Sequence, residues 1–140
     1  MQGLYKKILI ATDGSENNLS AVKEGLRVAQ ACGSTVSAVY VIDDDVLGTD
    51  GDMDIFSTLS AEGKKAVARV KEMAGGVEVQ TFVIEGKPSR AIADFVTSHG
   101  IDLVVVGTKS KNALESLLLG SVASSVIKAV SCPVLAVKSQ

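Results

Sequence analysis

Five short apolar runs punctuate the chain: Lys7 to Ala11 (KILIA), Thr35 to Ile42 (TVSAVYVI), Val77 to Ile84 (VEVQTFVI), Asp102 to Val106 (DLVVV) and Pro133 to Val137 (PVLAV). Most are β-branched and nearly continuous rather than alternating, the pattern expected of strands buried on both faces. Between them the apolar residues recur with helical spacing. Leu19, Val22, Leu26 and Ala29 share one face, as do Leu59, Ala66, Val67, Val70 and Met73, then Ile92, Phe95 and Val96, then Val122, Val126, Ile127 and Val130. Gly33, Gly75 and Gly100 are expected to close three of these helices in the left-handed conformation, and Pro88 suits a first helical turn, where no N–H is needed.

The order β-α-β-α-β-α-β-α-β implies parallel strands joined by right-handed crossovers. We therefore expect an α/β fold: a doubly wound, Rossmann-like five-stranded parallel sheet with helices on both faces. Residues 43 to 54 (DDDVLGTDGDMD) read as a solvated loop before the second helix. No repeat or linker interrupts the chain, so residues 1–140 read as a single domain.

Composition narrows the class. At 140 residues a chain buries about 70% of the surface its unfolded state exposes, enough for a core without metals or disulfides. Aromatic residues make up 4% and there is no Trp, which leaves Val, Ile, Leu and Ala to fill the interior. Fourteen Lys and Arg against sixteen Asp and Glu, a net charge of -2 without a basic cluster, argue against nucleic-acid binding. No segment nears the roughly 18 apolar residues that span a bilayer, and Ile8 to Ala11 is too short for a signal-peptide core. The expectation is a cytoplasmic protein with no membrane partner. Cys32 and Cys132 lie far apart without metal-ligand neighbours and read as reduced, buried thiols.

In an open α/β sheet, ligands bind beyond the carboxyl ends of the strands where the winding reverses. The loop after the second strand is acidic, wrong for phosphate, and the loop after the third, EGKPSR, is short. The loops after the first strand (ATDGSE) and the fourth (GTKSKNALESLLLGS) carry the small polar residues and glycines that bring backbone amides close to a ligand. These two strands are the candidate neighbours at the switch point. Gly107 would let the chain leave its strand with an unusual dihedral, Gly120 and Ser121 open the last helix, whose N-terminus attracts anions, and Lys109 adds a charge. The same residues also fit a plain connection, with the glycines ending elements, Ser121 as N-cap, and Lys109 and Lys111 solvated. No GxxxxGK[ST] motif occurs. Asp13 could accept hydrogen bonds from a ribose or an adenine amine, or cap the first helix with Glu16 completing a capping box.

Asp50, Asp52 and Asp54 have calcium-loop spacing, but Ile55 and Ala61 stand where that loop needs Gly and Glu, so an acidic loop is expected. His99, the single histidine, reads as a helix-end or packing residue at the amino end of the fourth strand. No catalytic set emerges, and the sequence nominates no metal ligand.

KILIATDGSE, EGKPSRAIADFV, DLVVVGTKS and LLLGSVASSVI with its tail SCPVLAV together resemble the universal stress protein family over essentially the whole chain. That family's ATP-binding pattern is Gly, two residues, Gly, nine residues, Gly, then Ser or Thr. Here it reads Gly107, Thr108 and Lys109, Ser110, nine residues, Gly120 and Ser121. The departure is Ser110 in place of the second glycine: a Cβ there would crowd the loop, whereas a hydroxyl there would offer phosphate a donor. The resemblance implies strand order 3-2-1-4-5, with adenosine near Ala11, Thr12, Asp13 and Val41, and phosphates near Gly107, Lys109, Ser110, Gly120, Ser121 and Val122. It further implies ATP or AMP as ligand, Mg²⁺ if present held through the phosphates, and a homodimer through the last strand, Pro133 to Val137. The expected role is a nucleotide-responsive stress-response sensor, at most a slow ATPase. The alternative is a universal stress dimer without nucleotide, acting as a protein-interaction module.

Overall fold

The computed structural model describes residues 3–47, 53–109 and 119–139. Their elements follow the expected alternation: β1 (Lys7–Ala11), α1 (Leu19–Cys32), β2 (Thr35–Asp43), α2 (Asp44–Leu47), α3 (Met53–Met73), β3 (Val79–Gly86), α4 (Pro88–His99), β4 (Leu103–Gly107), α5 (Ser121–Ala129) and β5 (Val134–Val137). All pairings are parallel and the sheet order is β3-β2-β1-β4-β5. The chain winds outward from β1 to β3, returns to the centre at β4 and ends at β5. β1 and β4 are therefore the neighbours at which the winding reverses.

The continuous apolar strands are explained by two cores. Ile8 and Ile10 of β1, with Leu103 and Val105 of β4, pack with α1 and α3 against one face of the sheet. Leu9, Val104 and Val106 pack with α4 and α5 against the other. Ile8, Leu9 and Ile10 are all fully buried, and each such side chain contributes about 1.5–3 kcal/mol on removal from water. Phe82 and Phe95 meet edge to face at 4.8 Å within the second layer, and His99 stacks on Phe95 at 3.7 Å.

Gly33 and Gly100 cap α1 and α4 in the left-handed conformation, and Pro88 is the first residue of α4. Gly75 is also left-handed, one residue beyond the Ala74 that follows α3. Three expectations are corrected. β3 begins at Val79 rather than Val77, because the Val77 N–H turns back to the Ala74 carbonyl. Residues 43 to 54 are not simply a loop: Asp44–Leu47 form one helical turn, and Met53 and Asp54 already belong to α3. On α5 the buried residues are Ala123 and Val126, while Val122 and Ile127 are 38% and 44% exposed.

Candidate functional site

The first strand's hydrogen bonding runs one residue past its end. Thr12 N–H donates to the Val39 carbonyl at 2.9 Å, and Thr12 Oγ1 accepts from Gly14 N–H. Asp13 then folds the chain locally: its Oδ1 accepts from both the N–H (2.9 Å) and the hydroxyl (2.6 Å) of Ser15. This turn corrects the capping-box reading. Ser15 and Asn18 occupy the cap positions of the 3₁₀ turn Glu16–Asn18 and of α1, and neither makes a side-chain capping bond.

The other wall is built by β4. Gly107 does not adopt a positive φ, so the expected unusual dihedral is absent. Its lack of a side chain serves a close approach: a Cβ there would lie 3.1 Å from Asn18 Nδ2 and 3.7 Å from Ala21 Cβ. Thr108 ties two elements together. Its N–H donates to Val137 of β5 at 3.0 Å, and its carbonyl accepts from Gly120 N–H at 2.7 Å. Gly120, not Ser121, is the N-cap of α5, and Ser121 is the first helical residue. The first helical bond runs from Ser124 N–H to the Gly120 carbonyl, so the N–H groups of residues 121–123 precede it at the positive end of the helix.

Between these walls lies a cavity of about 130 Å³, lined by Ala11, Thr12, Asp13, Asn18, Val39, Val41, Pro88, Ile92, Val106, Gly107, Thr108, Lys109, Gly120, Val122 and Ala123. A cavity of ~150 Å³ admits benzene, so the space suits a planar ring. Its lining is apolar at Val39, Val41, Val106 and Ile92 and polar at Thr12, Asp13, Thr108 and Lys109.

Of the sequence-derived site residues, Ala11, Thr12, Asp13, Val41, Gly107, Lys109, Gly120 and Val122 meet at this cavity. Ser121 adjoins it as the first residue of α5 and is not itself a lining residue. Ser110 and Lys111 lie outside the described residues. The sequence reading missed Asn18, Val39, Pro88, Ile92, Val106, Thr108 and Ala123 as wall residues. Asn18 resembles an ordinary helix cap in sequence, Ile92 an ordinary core residue, and Pro88 a helix start. Only the parallel crossovers bring them to the ends of β1 and β4.

His99 lies at the opposite end of the sheet, where its Nδ1 is 3.2 Å from the Phe95 carbonyl oxygen and the Lys7 ammonium donates to the His99 carbonyl at 3.3 Å. Cys32 is buried, whereas Cys132 is partly exposed, correcting the expectation for the second thiol; both are free. Burial pushes the Cys132 thiol up from its ordinary pKa, and the nearby Asp102 carboxylate adds to this. Asp50 and Asp52 fall outside the described residues, and Asp54 is in the first turn of α3. No helix among the described residues is long and apolar enough to cross a membrane.

These features define a doubly wound α/β protein with a ligand-sized crevice at its topological switch point. The Universal stress protein family model matches residues 4–138, and the chain belongs to that family. It is 43% identical to universal stress protein MJ0531 of Methanocaldococcus jannaschii, over 98% of this chain and 84% of that protein. Its structure matches that of MJ0577 from the same organism with a TM-score of 0.87 and 30% identity, covering 98% of each chain. A universal stress protein solved in complex with cAMP shares the fold, with a TM-score of 0.71 and 24% identity over 97% of this chain and 98% of that one.

Proposed function

We propose that this universal stress protein, one domain over residues 1–140, binds an adenine nucleotide at the switch-point cavity and acts as a nucleotide-responsive sensor. The observation that carries the reading is the convergence of eight residues nominated from the sequence and its family resemblance, from three strand ends and the start of α5, on one cavity. The apolar lining takes the base, Asp13 and Thr12 stand beside the sugar, and Lys109 with the N-terminus of α5 faces the phosphates. ATP or AMP is the proposed ligand, any Mg²⁺ being held through the phosphates. The cAMP complex of a protein with the same fold supports an adenine nucleotide as the ligand class.

The only histidine stands at the far end of the sheet, so the proposed chemistry is at most slow ATP hydrolysis. A cytoplasmic homodimer joined through Pro133 to Val137 completes the reading. β5 is the sheet edge, and its four residues are only half-buried; an edge like that is normally paired or covered. A second reading, a protein-interaction module without nucleotide, draws on the apolar side chains left exposed at Leu119, Val122 and Ile127. Calorimetric titration of nucleotide-stripped protein with ATP, with and without Mg²⁺, and with AMP tests the choice. Saturable binding near one per subunit is expected; no heat and no melting shift at millimolar ligand would leave the interaction module.

A further inference from the structure

Asn18 carries a buried oxygen without a partner. The residue is 5% exposed, and among the described residues its Oδ1 accepts no hydrogen bond. Its Nδ2 reaches only the Ala11 carbonyl among them, at 3.5 Å, the limit for such a bond. An Asn at an N-cap normally accepts from the first turn of its helix, but here φ is -89°, ψ is -10° and no capping bond forms. A buried amide with two N–H donors and an acceptor oxygen thus makes one long contact. Native proteins rarely carry such a deficit without a use.

The position points to the use. Asn18 lines the switch-point cavity, with its amide beside Gly107, where a Cβ would stand 3.1 Å from Nδ2. Glycine there leaves room for the amide to turn about its terminal torsion, which is broad for Asn. We infer that Asn18 reads the occupant of this cavity. Turned toward it, Oδ1 accepts a hydrogen bond from a donor on the nucleoside half of the nucleotide, a ribose hydroxyl or the exocyclic amine. The inference rests on the nucleotide reading above. An ionised phosphate has no donor to offer, so the orphan acceptor does not match it; the phosphates belong with Lys109 and α5. The competing partner is a single water in a cavity of about 10 Å³ that Asn18 also lines. That volume is at the lower limit for one water, and most of its wall is apolar, from Leu19, Val22, Ala66, Val70 and Met73, although Thr12, Ser15 and Arg69 also line it.

Titration calorimetry on the full chain decides the matter, with wild type and Asn18→Leu each titrated with ATP, inorganic triphosphate, 2′-deoxy-ATP, 3′-deoxy-ATP and purine riboside triphosphate, which lacks the amine. Asn18→Leu removes the orphan atom and keeps the branched shape of the side chain, though with greater bulk, so it should remain folded by circular dichroism. It should bind ATP roughly three- to tenfold more weakly, the worth of one neutral hydrogen bond, with triphosphate binding unchanged. One analogue should lose the same factor against wild type and nothing further against the variant, which identifies the donor. If Asn18→Leu does not fold, Asn18→Ala must show the same pattern. Unchanged ATP affinity in a folded variant, or analogues discriminated equally by wild type and variant, overturns the role of Asn18 and leaves nucleotide binding standing. Wild type that binds none of these ligands overturns both.

Discussion

Gly120 N–H donates to the Thr108 carbonyl at 2.7 Å, and a Cβ on Gly120 would stand 2.8 Å from that same oxygen. The contact brings the start of α5 onto the end of β4, and it requires glycine because the atom in the way is backbone. The Thr108 N–H also donates to the Val137 carbonyl, so one residue holds both the rim of the cavity and the last residue of the edge strand.

Gly120→Val should therefore separate α5 from β4 at the cavity rim. We expect ATP binding to be lost, a stability cost of about 1–3 kcal/mol from overpacking, and a far-UV circular dichroism spectrum that still reports the fold. Unchanged affinity in the titration would remove the α5 N-terminus from the site.

Ser110→Gly restores the family's second glycine. If the Cβ crowds the loop, the substitution should tighten ATP more than adenosine, since the effect falls on the phosphate half. Weaker ATP binding in the same assay would show that the Ser110 hydroxyl is itself a ligand.

Gly25 on α1 faces Ile10 on β1, and a Cβ there would meet Ile10 Cδ1 at 2.7 Å and Cγ1 at 2.9 Å. Gly25→Ala gains about 1 kcal/mol of helix propensity but overpacks a fully buried contact, at about 1–3 kcal/mol. Net destabilisation is expected in urea denaturation. Ile10→Val should cost about 0.5–1.5 kcal/mol alone and less than that in the Gly25→Ala background. Additive costs would show that the two residues do not compete for the same space.

Cys132 should label slowly. Its raised pKa leaves less thiolate at pH 8 than an unfolded chain has, so alkylation followed by peptide mapping should run slower in folded than in urea-unfolded protein. Linkage sets the sign for stability: the contribution of the protonated thiol is complete below the unfolded pKa and is lost as pH rises through the higher folded one. Cys132→Ser should flatten that alkaline decline. Equal labelling rates in folded and unfolded protein would contradict the shift.

How much of this was legible in sequence depended on how local the signal was. Gly33, Gly100 and Pro88 mark helix ends through their own backbone chemistry, and the structure places them as expected. The apolar face of α5 was misjudged because periodicity favours large side chains. Small Ala123 is the residue that faces inward, together with Val126, while Val122 and Ile127 remain exposed. Asp13 illustrates the same limit. Its capping spacing was present, but its carboxylate is engaged by Ser15, two residues away.

Asp102 accepts from the N–H groups of Lys6 and Lys7, at 2.9 and 3.1 Å, joining the amino ends of β1 and β4 across 95 residues of sequence. No local pattern announces such a contact. The sequence by itself determined the order of the five strands and the four longer helices, though not the short α2, because hydrophobic period and turn chemistry are properties of neighbouring residues. It also nominated the two loops that meet at the cavity. The tertiary structure decided that Asn18, Ile92 and Pro88 stand with them, that Gly107 and Gly120 are small to admit neighbours, and that the buried Asn18 oxygen is left without a partner among the described residues. Those facts arise where β1 and β4 lie side by side, which is a property of the sheet's winding and not of any single stretch of chain.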